Sequence, residues 1–195
     1  VTFECGRKKI VSEIGELMFT HFGVSGPLVL DLSGEVVALL GEGNSVRMLI
    51  DLKPALTVEQ LERRLLSDLK GPKGTQFKSI MKGYLPQRLI MVFMQLAGID
   101  PEREANQITQ NQRHAILCMF KALPLNIKGP LPIEEAMVTG GGVSTKEIDP
   151  RSMESKIVPG LFFAGEIIDG CASSGGYNLQ QAFSTGYLAG ENAAM

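Results

Sequence analysis

Glu166 and Asp169 follow the apolar run Leu161-Phe162-Phe163-Ala164 after one glycine, and Gly175-Gly176 then open Tyr177-Asn178-Leu179. Carboxylates just past a buried strand can accept hydrogen bonds from ligand hydroxyls, as the acid on the ribose does in dinucleotide folds. A glycine pair at a helix start leaves backbone N–H groups uncovered, and the positive end of the helix dipole favours anionic or electron-rich groups there. Upstream, Thr139-Gly140-Gly141-Gly142 is a turn without side chains in the way, able to lie flat on a planar cofactor or bind an oxyanion. Each of these glycine groups could equally serve a turn, and Glu166 and Asp169 could be acids of a turn or helix terminus. Three such turns beside apolar strands, within a short stretch, point together to a ligand. His21, between a strand and a Gly-rich bend, is a weak catalytic candidate able to move protons near neutral pH. His114 lies within a helical stretch and reads as packing or solvent-facing.

The remaining residues exclude several chemistries. Cys5, Cys118 and Cys171 form no Cys-x-x-Cys pair and are odd in number, which fits a reducing compartment and argues against a disulfide scaffold. They make no metal cluster with the two histidines. No Ser-His-Asp order and no phosphate loop is visible, so hydrolase, zinc-enzyme and NTPase readings lack support. A net charge of −2 gives no global pull toward nucleic acid or membrane, although lysines gather locally from Lys70 to Lys82. No apolar stretch is long enough for a membrane span and no signal peptide is visible. A cytoplasmic location is expected. The chain opens on Val1 within a strand-like run, Val1 to Cys5, as a piece of a longer protein would.

The elements that must position these residues fall into zones. Glu16–Thr20 reads as a strand, ended by His21-Phe22-Gly23-Val24-Ser25-Gly26. A helix starts at Pro27, with Leu28, Leu32, Val36, Leu39 and Leu40 on its apolar stripe. Val46–Leu52 reads as a strand. Helices follow: one after the capping box Thr57-x-x-Gln60, one from Pro86 to Ala97 with Gly98 as its stop, one opened by Asp100-Pro101, and one after Thr109-x-x-Gln112, ended by Pro124. Such short amphipathic helices can pack as a small bundle. Beyond residue 129 the pattern predicts strands at Ala136–Thr139, Lys156–Val158 and Leu161–Ala164. A closing helix carries Gly186-x-x-x-Gly190, small enough for close approach to a neighbour.

Phe19-Thr20-His21-Phe22-Gly23-Val24-Ser25-Gly26-Pro27, Val138-Thr139-Gly140-Gly141-Gly142-Val143, Met153-Glu154-Ser155-Lys156, Pro159 to Glu166 and Gly175-Gly176-Tyr177-Asn178-Leu179-Gln180 resemble the BaiN/YhiN-like family of bacterial FAD-dependent oxidoreductases. Nearly the whole chain is covered. Members are longer: a Rossmann-type FAD domain is interrupted by a β-rich domain with a helical insertion, and the chain then returns to the FAD domain. This chain is similar to their second half. The resemblance implies an α+β fold: a β-rich insertion domain with a small helical bundle, plus the C-terminal strand-helix segment of a Rossmann-like FAD-binding domain. Its zones would be 1–53 (β-rich), 54–128 (helical), 129–158 (return) and 159–195 (FAD segment).

The same resemblance implies site roles. Gly165, Glu166 and Asp169 would lie along the ribityl or phosphate side of FAD. Gly175, Gly176, Tyr177, Asn178 and Leu179 would set a helix N-terminus at the flavin ring, and Gly140, Gly141 and Gly142 would face the ring near substrate. Between acid and glycine pair, this chain has Gly170-Cys171-Ala172-Ser173-Ser174, where the family usually carries an Asp-Gly pair and a Thr. The implied activity is hydride transfer between flavin and an unsaturated or carbonyl small molecule, with NAD(P)H as a possible reductant and no metal. The alternative is an RNA-modifying flavoprotein that reduces uridine, with the helical insert as RNA contact. Alone, this chain is expected to bind FAD weakly or not at all and to be inactive.

Overall fold

In chain order the elements are β1 (Thr2–Cys5), β2 (Lys8–Val11), β3 (Met18–Phe19), β4 (Val24–Ser25), α1 (Pro27–Gly41), β5 (Val46–Ile50), α2 (Val58–Leu69), α3 (Phe77–Met81), α4 (Gln87–Leu96), α5 (Gln110–Lys121), β6 (Leu123–Ile127) and α6 (Tyr177–Ala193). They come from a computed structural model that describes residues 1–195. The chain separates into two units: Val1–Ile14 with Val46–Ile127, and Gly15–Ser45 with Lys128–Met195.

In the first unit, Val46, Met48 and Ile50 are buried and alternate with more exposed neighbours, the period of a strand with one face inward. The antiparallel sheet has the order β2-β1-β5-β6. Its register puts Ile10, Phe3, Met48 and Leu125 opposite one another in a single row. Pro124, expected to end a helix, instead sits in β6 opposite Leu49. Proline cannot donate to a ladder, and β6 is an edge strand, where the missing N–H leaves no unpaired acceptor inside the sheet.

Both predicted capping boxes form. Thr57 and Thr109 accept from the backbone N–H of Gln60 and Gln112, and both glutamine side chains reach back. The helix expected at Asp100-Pro101 does not. Asp100 instead closes a turn, its carbonyl accepting from Arg103 N and its Oδ1 from Glu102 N. The four helices α2 to α5 bury a core that includes Leu61, Leu65, Phe77, Phe93, Ile116 and Phe120. Phe93 and Phe120 stack with centroids 4.6 Å apart. Lys121, at the end of α5, donates to the carbonyls of Leu56 (2.9 Å) and Lys53 (3.2 Å) and pairs with Asp51 at 2.5 Å. That ion anchors the bundle to the chain leaving β5.

The second unit is mostly irregular. β3 and β4 form a two-residue hairpin, shorter than the strand predicted over Glu16–Thr20. α1 starts where proline predicts it, directly after Gly26 at φ 96°. No strand forms at Ala136–Thr139 or Lys156–Val158, and Leu161–Ala164 contributes only the isolated bridge Glu154↔Phe162. Burial is reached by loops: Ile148, Met153, Ile168 and Ala189 form a small cluster, with Val143, Phe162, Phe163 and Leu188 packed on it. On α6, Gly186 and Gly190 are exposed and meet no neighbour, so the expected close approach is not made within this chain. No helix is long and apolar enough to cross a membrane. The architecture is thus mixed α/β, with six helices and two small antiparallel sheets.

Candidate functional site

Three segments of the second unit converge. The first contact is a parallel bridge between Val143 and Ile168: Val143 N donates to Ile167 O at 2.8 Å, and Asp169 N donates to Val143 O at 2.9 Å. Gly142 lies at this crossing with φ +138°. A Cβ there would stand 2.4 Å from the Ile167 carbonyl oxygen and 2.9 Å from Asp169 N, both backbone atoms. Only glycine lets the Gly140–Gly142 turn close on the 165–169 segment.

Gly165 makes the second contact. It adopts φ +74°, and its N–H donates to Thr185 Oγ1 of α6 at 2.9 Å. This sets the one-turn 3-10 helix Gly165–Ile167 against α6.

Asn178 makes the third contact. Its Oδ1 accepts from Ala172 N at 2.7 Å and its Nδ2 donates to Ala172 O at 3.0 Å, so one amide clamps both polar groups of a single loop residue. Farther along the same loop, Ser174 N donates to Asp31 Oδ1 of α1 at 2.6 Å. The loop that precedes α6 is therefore held from two sides.

Between these segments lies a shallow depression lined by Val138, Thr139, Gly165, Glu166, Gly170, Asn178 and Gln181. Gly165, Glu166 and Asn178, singled out in the sequence, thus share one surface. Asp169 contributes its backbone to the bridge, and its side chain is exposed. Gly175 and Gly176 hold φ of 108° and 93°, which only glycine adopts readily. Tyr177 and Leu179, at the start of α6, point to solvent. His21 lies elsewhere: exposed on the β3–β4 turn, its ring edge-on to Phe22 at 4.9 Å, it does not line the depression.

Sequence reasoning missed Gln181, Thr185 and Asp31. Gln181 and Thr185 follow the glycine pair at helical spacing, which is the signal that would have found them. Asp31 is 143 residues from its partner Ser174, and no local pattern reveals it.

The arrangement sets open backbone beside polar side chains. A Cβ at Gly140, Gly141 or Gly176 would meet nothing within 4 Å, so these faces are open to a planar ring. No side chain caps α6, so its first N–H groups remain available. Glu166 and Gln181 set a carboxylate and an amide beside them.

Known proteins share this sequence. Residues 1–138 match the family model described as HI0933-like protein barrel and H2TH domain. The chain is 31% identical, over 97% of its length, to the 3-dehydro-bile acid delta(4,6)-reductase of Clostridium scindens, covering 46% of that protein. It is similar to ribosomal RNA dihydrouridine synthases as well. The Escherichia coli protein is 32% identical over 90% of this chain and 42% of its own length. The Haemophilus influenzae protein is 33% identical over 96% of this chain and 43% of its own length. The chain spans less than half the length of the curated relatives it matches.

Proposed function

Since the chain belongs to the HI0933-like family of flavoprotein oxidoreductases, as its sequence motifs indicated, we propose that its second unit supplies one wall of an FAD pocket in an enzyme that reduces a conjugated double bond. The observation that carries this reading is that Val138 and Thr139, which lead into the Gly140–Gly142 turn, line one depression with Gly165, Glu166 and Asn178, while the turn itself is bridged to the 165–169 segment through Val143. In this reading the Gly165–Asp169 segment and α6 fall in the C-terminal FAD-binding segment, residues 159–195, and the Gly140–Gly142 turn in the return that leads into it.

The names of the relatives narrow the substrate class. A delta(4,6)-reductase and a dihydrouridine synthase both add two hydrogens across a carbon–carbon double bond. In a 3-oxo-4,6-diene and in uridine that bond is conjugated to a carbonyl. FAD, when bound, would supply the hydride chemistry, with NAD(P)H as a candidate reductant. The residues of this chain bind and orient. The N-terminus of α6 would hold the electron-rich part of the ring, where its dipole would favour the reduced form. Glu166 and Asp169 accept from ribityl or ribose hydroxyls. Gly140 and Gly141 would leave room for substrate against the ring and offer N–H groups to the carbonyl oxygen, on which negative charge grows during reduction, while Gly142 lets the turn close on the Gly165–Asp169 segment. Asn178 fixes the Ala172 loop so that these groups hold their places.

Exposed apolar surface on α6 supports the same reading. Phe183 and Tyr187 are each 72% exposed, and such patches mark surfaces that take a ligand or partner. The rest of the pocket belongs to the part of the relatives' length that this chain does not match, so the chain alone holds FAD weakly and is inactive. Flavin fluorescence titration checks this. Partial quenching that saturates only at high protein concentration is expected, weakened further by Asn178→Ala. A stoichiometric yellow complex surviving gel filtration would show a complete pocket and contradict the proposal.

RNA as the substrate carrier is a second reading, favoured by one observation. Residues 53–88 hold eight Lys and Arg against three acids, whereas the whole chain holds 19 against 21.

A further inference from the structure

Charge in this protein is strongly segregated. The excess of cations in residues 53–88 falls on α2, α3 and the turns around them, and little of it is neutralised internally. Lys78 pairs with Glu102. Arg64 has no carboxylate partner: it lies 4.8 Å over the Tyr84 ring and donates to Gly83 O at 3.4 Å. The acid one turn along, Asp68, is already engaged, accepting from Tyr84 Oη at 2.5 Å. Arg64 is thereby held in place and keeps its charge available.

Other cations follow on the same stretch of chain. Lys82 is exposed beside Gly83, in the turn that Arg64 touches. Lys70 and Lys73 are exposed on the turn that leaves the end of α2, each followed directly by a glycine, Gly71 and Gly74. Lys53 is near enough to Arg64 for its charge to be disfavoured, burial and that guanidinium both lowering its pKa. None of Lys53, Lys70, Lys73 and Lys82 makes an ion pair. Like charges gathered this way repel one another in the free protein and are relieved by a polyanion.

We propose that this face, built from Arg64, Lys70, Lys73 and Lys82 with Lys53 behind them, is a phosphate-contacting surface that docks folded RNA. The inference rests on the RNA reading of the substrate. Its partner is identified by chemistry: spaced, flexible cations on glycine-flanked turns suit a row of backbone phosphates and read no base. One stacked arginine adds a directional contact of the kind phosphates take.

The test uses the full chain and a fluorescently labelled 20-base-pair RNA hairpin, read by anisotropy across a salt series. Binding is expected at low salt, falling linearly in log affinity against log salt concentration. Combined reversal, Lys70→Glu with Lys73→Glu and Lys82→Glu, should lower affinity about tenfold or more and flatten the salt slope by about one unit per lysine. A control pair on the other unit, Lys128→Glu with Arg151→Glu, should leave both unchanged. Absence of binding at low salt, or equal losses in the control, overturns the proposal. Displacement of RNA by poly-glutamate at equal charge also overturns it, in favour of an acidic protein partner. All five lysines and arginines changed are exposed, and thermal melting verifies that the variants fold. Flavin quenching by the same variants separates the two readings: if RNA binding fails while quenching persists, the RNA surface falls and the oxidoreductase reading stands.

Discussion

Gly142 is the residue on which the site's geometry turns. The backbone of Ile167–Asp169 occupies the space any side chain at Gly142 would need. Gly142→Ala should therefore destabilise the chain by at least about 2 kcal/mol, through a strained positive φ and a backbone clash. Urea unfolding measures this, and an unchanged midpoint would contradict the crossing described. Lys121 is a second decisive side chain. Its ammonium satisfies two carbonyls and the Asp51 carboxylate in a partly buried setting. Lys121→Met keeps the aliphatic stem and removes the charge, so a loss of about 1–3 kcal/mol is expected in the same assay, mostly from the polar groups left unpaired. At this scale the sequence was informative wherever a residue acts near itself in the chain. Gly176, Glu166 and Asn178 stand within a short stretch and could be picked out. Asp31 could not, because its role exists only once the chain has brought α1 to the Ser174 loop.

Among the elements, the capped helices announced themselves, as did β1 and β5, whereas α3 and β6 did not. Thr57 and Thr109 mark helix starts because a hydroxyl and a glutamine three residues on satisfy orphan N–H groups through local geometry alone. Thr57→Ala should cost about 1 kcal/mol of stability, seen as a lower thermal midpoint, and Thr57→Asp should restore most of it. No restoration would mean that the cap is not what Thr57 contributes. Asp100-Pro101 carries a similar start signal, yet its side chain is spent on a turn and no apolar stripe follows to reward a helix. Apolar runs misled in the opposite direction. Leu161–Ala164 looks like a strand, but Phe162 and Phe163 reach burial by packing on Ile148 and Met153, with one isolated bridge in place of a ladder. Conversely, Pro124 concealed β6, because a proline argues against a strand unless the strand is known to lie at an edge.

For the whole molecule, the chain has two units of different character. One carries the excess of positive charge on a four-helix bundle joined to a sheet, and the other carries the glycine-rich depression and the uncapped start of α6. Composition could not show this division, since a net charge of −2 averages a cationic stretch with an acidic remainder. Family membership was legible because motifs spread along nearly the whole chain matched in order, while the chain covers less than half the length of each of these relatives. The central claim is that the second unit is one wall of a flavin pocket. An amide-resolved NMR titration of the chain with FAD tests it most directly. The account predicts weak binding, with shifts confined to Gly140–Gly142, Gly165–Asp169 and Gly175–Leu179, and the bundle unchanged. Shifts that map to the bundle or to the β3–β4 turn, or no shifts at all at millimolar-scale FAD, would contradict it.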